Sequence, residues 1–196
     1  MRSRRNLLKR SRLYLILDKP GFDIEAGVFG IVQLRDKISA KPDILKAALK
    51  LSRRLRRSNT LFIVNDHPDL AVFSGADGVH LGQEDMPLEK AKGILGKDKI
   101  IGISCHNLVQ ALKAQKQGAD YIGIGPVFAT PTKPGIRPIG LKVLKELKGK
   151  IKIPYFAIGG INKNNIAKII SFGCRRVAVR RSAAEAKELF KELKTK

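Results

Sequence analysis

SGADGVHLG (74–82), QGADYIGIG (117–125) and FGCRRVAVR (172–180) repeat one pattern along the chain. In each, a glycine follows a helix-forming stretch, a short turn comes next, and a run rich in Val, Ile or Leu follows. Glycine suits the residue just past a helix, where φ is often positive. The apolar run is short and β-rich, as a strand buried on both faces is. Helix, glycine turn and strand form the returning half of a βαβ unit, so their recurrence points to a parallel sheet.

The same kind of run occurs eight times: LYLIL (13–17), IVQL (31–34), LFIV (61–64), GVHL (78–81), IIGI (100–103), YIGIG (121–125), PYFAIG (154–159) and RRVAV (175–179). Helix-forming stretches alternate with them. ILKAALKLSRRLRR (44–57) sets Leu45, Leu51 and Leu55 near one face. LVQALKAQKQ (108–117) follows Asn107, a fitting N-cap. LKVLKELKGK (141–150), INKNNIAKIISFG (161–173) and a tail starting at Ser182 continue the series. Eight alternating units predict an α/β fold, a compact single-domain (β/α)8 TIM barrel over residues 13–196, ahead of an open doubly wound sheet. Residues 18–30 leave room for barely two helical turns, so the first helix is shortened. Residues 1–12 are basic, show no clear core-facing pattern and read as an N-terminal arm.

Composition narrows the function. Of 196 residues, 43% are hydrophobic and 29% charged, which excludes a disordered or fibrous chain. No window approaches the roughly 18 apolar residues of a membrane span. The five-residue run LYLIL is too short for an export signal, so a cytoplasmic location is expected. Cys105 and Cys174 have no metal spacing and read as reduced thiols. The net charge of +22 favours anionic partners. With no Trp and only 11 Phe plus Tyr, base stacking is poorly served and nucleic acid is an unlikely partner. Phosphorylated small molecules fit better.

In this fold the reactive site lies where the strands end. Gln33, Arg35 and Lys37 alternate after the second run and share one face; Arg and Lys together suit a phosphate or diphosphate. Asn65 and Asp66 end the third run, and Asp85 follows the fourth. Two carboxylates with substrate phosphate oxygens suit Mg²⁺, although Asp66 before His67-Pro68 also fits a helix cap. Ser104, Cys105 and His106 end the fifth run; Cys105 reads as a packed thiol. Thr130, Thr132 and Lys133 follow the sixth, Gly159 and Gly160 the seventh, and Arg180, Arg181 and Ser182 the eighth. Hydroxyls and backbone N–H groups there suit a second phosphate. His80, inside a strand, reads as a packed core histidine.

QLRDK (33–37), NDHPDLAVFSGADGVHLGQEDMP (65–87), IGISCHN (101–107), GADYIGIGPVFATPTKPG (118–135) and AIGGIN (157–162) together resemble thiamine phosphate synthase (thiamine-phosphate pyrophosphorylase). The resemblance spans residues 13–180, in order and spacing. It implies a transferase of thiamine biosynthesis, a (β/α)8 barrel that uses Mg²⁺ to join hydroxymethylpyrimidine diphosphate to thiazole phosphate with release of diphosphate. The implied course is dissociative. Carried over, Gln33, Arg35, Lys37, Asn65, Ser104 and Lys133 bind the pyrimidine diphosphate, with Arg35, Lys37 and Lys133 stabilising the leaving group. Asp66 and Asp85 hold the metal. Thr130, Thr132 and Gly160 line the thiazole phosphate site.

One departure stands out. The family's eighth strand ends in Val-Ser or Ile-Ser, and this chain places Arg180 and Arg181 there. A thiazole tautomerase-like relative and a non-catalytic barrel binding nucleic acid or an acidic partner are the other readings. The retained Arg35, Lys37, Asp66, Asp85 and Lys133 speak for the synthase.

Overall fold

The computed structural model describes residues 4–19, 24, 27–132, 135–180 and 184–195. Helix α1 (Arg4–Arg10) leads into β1 (Leu13–Leu17) and β2 (Ile31–Leu34). Then α2 (Lys41–Leu55), β3 (Leu61–Asn65), α3 (Pro68–Phe73), β4 (Gly78–Leu81), α4 (Leu88–Leu95) and β5 (Ile100–Cys105) alternate. They continue with α5 (Leu108–Lys116), β6 (Tyr121–Ile124), α6 (Lys142–Leu147), β7 (Tyr155–Ile158), α7 (Ile166–Ser171), β8 (Val177–Val179) and α8 (Ala186–Lys194). The strands close in sequence order into a parallel barrel, with β8 pairing back onto β1 through Leu13–Val177 and Leu15–Val179. This is the (β/α)8 architecture the alternation predicts. Of residues 18–30, where a shortened helix is expected, 20–23, 25 and 26 lie outside those described, as does Ser182; the described ones there form bends, a turn and irregular backbone.

Period-two side-chain alternation divides each strand between two cores. Leu13, Leu15, Val32, Phe62, Val64, Val79, Ile101, Ile122 and Val177 face the helices and pack with Leu51, Ala91, Ala111, Leu144, Ile169 and Leu189. Tyr14, Ile16, Ile31, Leu61, Ile63, Ile100, Tyr121, Phe156 and Ala178 fill the barrel interior. In α2 the buried face carries Ile44, Ala48, Leu51 and Leu55, with Leu45 at its margin. Asn107 caps α5 as its spacing suggests: its Oδ1 accepts from the Gln110 N–H at 2.9 Å.

The end opposite the strand C-termini is closed by α1. Residues 4–10 have the core-facing side chain the sequence pattern does not reveal: Leu8 is 2% exposed and packs on the barrel interior. Leu7 packs against the same interior cluster, and two adjacent leucines make no helical periodicity. Arg4 pairs with Asp77, and Arg5 Nε donates to Asp120 Oδ1 at 2.9 Å. Those aspartates also fix the strand starts. Asp77 accepts from the Phe62 N–H at 2.8 Å, and Asp120 from the Ile101 N–H at 2.9 Å.

Candidate active site

Strand register decides which polar groups reach the mouth. Gln33 lies opposite Ile63, and Asn65 opposite His80. Ser104 pairs with Gly123. All four side chains border one cavity of about 720 Å³ inside the C-terminal rim. Arg35, Lys37, Asp66, Asp85, Thr130, Thr132, Gly160 and Arg180 border the same cavity. Lys133 and Arg181 lie outside the described residues.

The Asp66 and Asp85 carboxyls lie close enough that a proton between them couples their ionisation. Burial and then the Asp85 carboxyl push Asp66 up from the ordinary carboxylate range. Burial also works on Asp85, but the hydrogen bonds from Asp66 and the Gly82 N–H, together with Lys37, leave it below that range. The Gly82 N–H lies 2.6 Å from Asp85 Oδ2, and a Cβ at Gly82 would sit 2.8 Å from that oxygen. Glycine therefore admits the carboxylate. Asp66 adopts φ 62°, a left-handed conformation that Asp tolerates better than most residues. Its N–H donates to the His80 carbonyl at 2.9 Å, which holds that conformation. Such strain tends to collect at functional positions. Lys37 pairs with Asp66 across the mouth.

The basic side is partly buried. Burial, followed by the neighbouring Arg180, lowers the pKa of Arg35, against the pull of Asp66, Asp18 and Asp85. Arg180 Nε donates to Asp18 Oδ1 at 2.7 Å, tying the end of β8 to the end of β1. Asp36 is occupied elsewhere: its Oδ1 accepts from the Ile38 and Ser39 N–H groups at 2.9 and 3.0 Å.

Between these walls lies Asn65, 8% exposed, whose Nδ2 has no partner within the protein. An unsatisfied buried amide is costly, so this atom is a candidate donor to a bound molecule. On the far side, Gly159 and Gly160 adopt φ 101° and 65°. A Cβ on Gly160 would stand 2.3 Å from the Ala129 carbonyl, and one on Gly159 2.4 Å from Pro126. The β6 and β7 loops meet too closely there for side chains. The Phe128 N–H donates to the Gly159 carbonyl at 3.1 Å. Asn165 Nδ2 braces Gly160 by donating to its carbonyl at 2.8 Å.

Several cavity residues escape sequence reasoning. Tyr14, Phe156 and Ile158 look like ordinary strand residues, and Asn162 and Gln110 belong to stretches read as helix. His80 is buried, as a core histidine would be, but it also borders the cavity and touches Ser104. The signal available was its alternation with Leu81 and Val79, which turns it into the barrel. Cys105 is buried and its thiol is pushed up to about 12 by that burial, which fits a packed thiol. His106 is held by the Gly125 carbonyl at 2.5 Å.

Among the described residues no helix is long and apolar enough to cross a membrane. A family model described as thiamine monophosphate synthase matches residues 23–183. The chain is 42% identical over 183 residues to the thiamine-phosphate synthase of Shouchella clausii, covering 88% of each. It is 43% identical over 190 residues to that of Gloeobacter violaceus, covering 94% of this chain and 56% of the relative; here the chain spans about half the relative's length. Among solved structures, the thiamine phosphate pyrophosphorylase of Pyrococcus furiosus matches with a TM-score of 0.80 at 34% identity, covering 97% of this chain and 99% of that one. The chain belongs to the thiamine monophosphate synthase family.

Proposed function

We propose that the protein is a thiamine-phosphate synthase, a transferase that joins hydroxymethylpyrimidine diphosphate to thiazole phosphate and releases diphosphate. The observation that carries this reading is the single cavity that brings the Arg35–Lys37 cations, the Asp66–Asp85 pair and the unpaired Asn65 amide together. Each meets one part of such a substrate: diphosphate, metal and heterocycle.

The carboxyl pair fits Mg²⁺. Two carboxylates this close need a proton or a cation between them. Two carboxylates plus phosphate oxygens form the usual sparse protein set for this ion. Bound there, the ion would neutralise charge developing on the leaving diphosphate. Asp66 and Asp85 would hold it, which would free Lys37 from its pairing with Asp66 to face the phosphates.

Arg35 and Lys37 stabilise the departing diphosphate, and Lys133 is assigned to the same task by resemblance. Departure leaves a positive pyrimidine methylene carbon. The thiazole nitrogen attacks that carbon with its lone pair, and no protein nucleophile is required. The glycine cradle at 159–160, with Thr130 and Thr132 on the same cavity, is assigned to the thiazole phosphate by resemblance. Both substrates are small molecules. The buried free cysteines agree with a reducing, cytoplasmic setting.

The test combines both substrates with purified protein and Mg²⁺ and reads product after oxidation to its fluorescent form. Product that vanishes with chelator, and in Asp85→Ala, is the expected result. Folded protein that forms no product would overturn the assignment.

A further inference from the structure

Along the cavity floor runs a chain of hydrogen bonds. Gln33 Nε2 donates to Tyr14 Oη at 2.5 Å. Tyr14 Oη meets Tyr121 Oη at 2.8 Å, Tyr121 Oη meets His80 Nδ1 at 3.0 Å, and His80 Nε2 meets Ser104 Oγ at 3.0 Å. Gln33 and Tyr14 are each 2% exposed and Tyr121 is fully buried. No water helps satisfy such groups cheaply, so each hydroxyl must donate once within the chain.

With the Gln33 Nε2 end of the amide facing Tyr14, that requirement sets a direction. Tyr14 accepts from Gln33, so its own hydrogen goes to Tyr121. Tyr121 then donates to His80 Nδ1, which must be unprotonated. His80 therefore carries its proton on Nε2 and gives it to Ser104 Oγ. The Ser104 hydroxyl hydrogen is left for the cavity, and Gln33 is left with Oε1 to offer. Burial raises the pKa of both tyrosines, so their hydroxyls keep their protons.

The surroundings are shaped for this chain. Tyr14, Tyr121 and Phe156 pack edge-to-face with centroids 5.5–5.9 Å apart. A Cβ at Gly102 would lie 2.1 Å from the Tyr121 ring, so only glycine on β5 leaves room for it.

We propose that Tyr14, Tyr121 and His80 are positioning residues that set the hydrogen-bonding polarity of Gln33 and Ser104 together. The cavity then presents an acceptor on β2 and a donor on β5. A heterocycle with an amino group beside an unprotonated ring nitrogen matches that pair, which would assign the relay to the pyrimidine and not to the thiazole phosphate. This last step rests on the function proposed above. Removing the Tyr121 hydroxyl takes away the donor that fixes His80 Nδ1 and the acceptor that fixes Tyr14, so neither the Gln33 amide nor the Ser104 hydroxyl keeps a set polarity.

Two measurements test this. The first is ¹⁵N NMR of the histidine ring in ligand-free wild-type protein, with His80→Gln used to assign the signal. Protonated Nε2 with unprotonated Nδ1 is expected, and the opposite tautomer overturns the proposal whether or not the protein is a synthase. The second is Tyr121→Phe, or Tyr14→Phe if that variant does not fold. The Michaelis constant for the pyrimidine diphosphate should rise about tenfold, as loss of one hydrogen bond predicts, while that for the thiazole phosphate stays within about twofold. Equal change in both constants, or in neither, sinks the relay while leaving an active wild type, and with it the synthase reading, intact.

Discussion

The carboxyls of Asp66 and Asp85 approach each other beyond the ends of β3 and β4, close enough that a proton between them couples their ionisation. With Asp66 shifted upward by burial and by its neighbour, a proton competes with any cation for this position. Protonation dominates below the raised pKa, so Mg²⁺ affinity falls as pH drops, and starts falling at a higher pH than for an ordinary carboxylate. In the metal-free protein the Asp66 contribution to stability runs the other way: present at low pH and lost as pH rises.

Thermal melts with and without Mg²⁺ between about pH 5 and pH 8 read this directly. The Mg²⁺-induced rise in Tm should be largest at the alkaline end and shrink toward the acid end. Asp66→Asn, which keeps the left-handed backbone accessible, should remove the rise at every pH. A rise that is independent of pH, or that survives Asp66→Asn, would show that the metal is held elsewhere.

The barrel was legible because parallel strands buried on both faces leave continuous Ile/Val/Leu runs, and because positive φ marks helix ends with glycine, as at Gly75, Gly118 and Gly173. The rim residues were legible because strand ends are polar interruptions of those runs. What could not be read was depth. Gln33 and His80 occupy strand positions that alternate into the barrel, but their pairing through Tyr14 and Tyr121 joins residues up to 107 apart in sequence. Nothing local records that. Leu8 was hidden for a similar reason, since its partners come from the barrel interior and not from its own helix.

Arg180 stands where the family pattern has no cation, between Asp18 and Arg35. Paired with Asp18, it is oriented toward the rim rather than free in solvent. Its proximity to Arg35 sets up a repulsion that an anion lodged between them would relieve. Arg180→Ala should therefore raise the Michaelis constant of one phosphorylated substrate by roughly 10-fold or more, the scale of a lost charge-assisted hydrogen bond. Asp18→Asn frees the guanidinium and should lower it. If Arg180→Ala instead improves binding, the residue obstructs the pocket.

Gly160 combines φ 65° with a position 2.3 Å from the Ala129 carbonyl for any added Cβ. Gly160→Ala must move the β6 loop and adopt a strained backbone, costing on the order of 1–3 kcal/mol. The displaced loop carries Thr130 and Thr132, so turnover at low thiazole phosphate should fall more than at low pyrimidine diphosphate. Gly149 is the control: its φ is 79° but nothing lies within 4 Å of the added carbon. Gly149→Ala should lose stability alone, with both Michaelis constants unchanged. Matching kinetic effects in the two variants would refute the cradle.

Helix α1 joins the barrel through Leu8, with Leu7 beside it, and through two ion pairs, and these differ in worth. Leu8 fills the base of the interior, so Leu8→Ala should cost about 2–5 kcal/mol, as core truncations do. For a chain of this size that lowers Tm by at least about 4 °C. The Arg4–Asp77 and Arg5–Asp120 pairs have half-exposed guanidinium groups, and each contributes about 1 kcal/mol or less. Arg4→Ala should therefore shift Tm by no more than a few degrees, and the shift should fade near 1 M salt, where the screening length is about 3 Å. The Leu8→Ala loss should persist there, because burial is not screened. The tie between Arg176 and the Lys9 carbonyl, 2.9 Å long, holds the helix end against β8 in either variant. A Leu8→Ala melt indistinguishable from wild type would mean that the helix does not seal the barrel and that its contacts are dispensable.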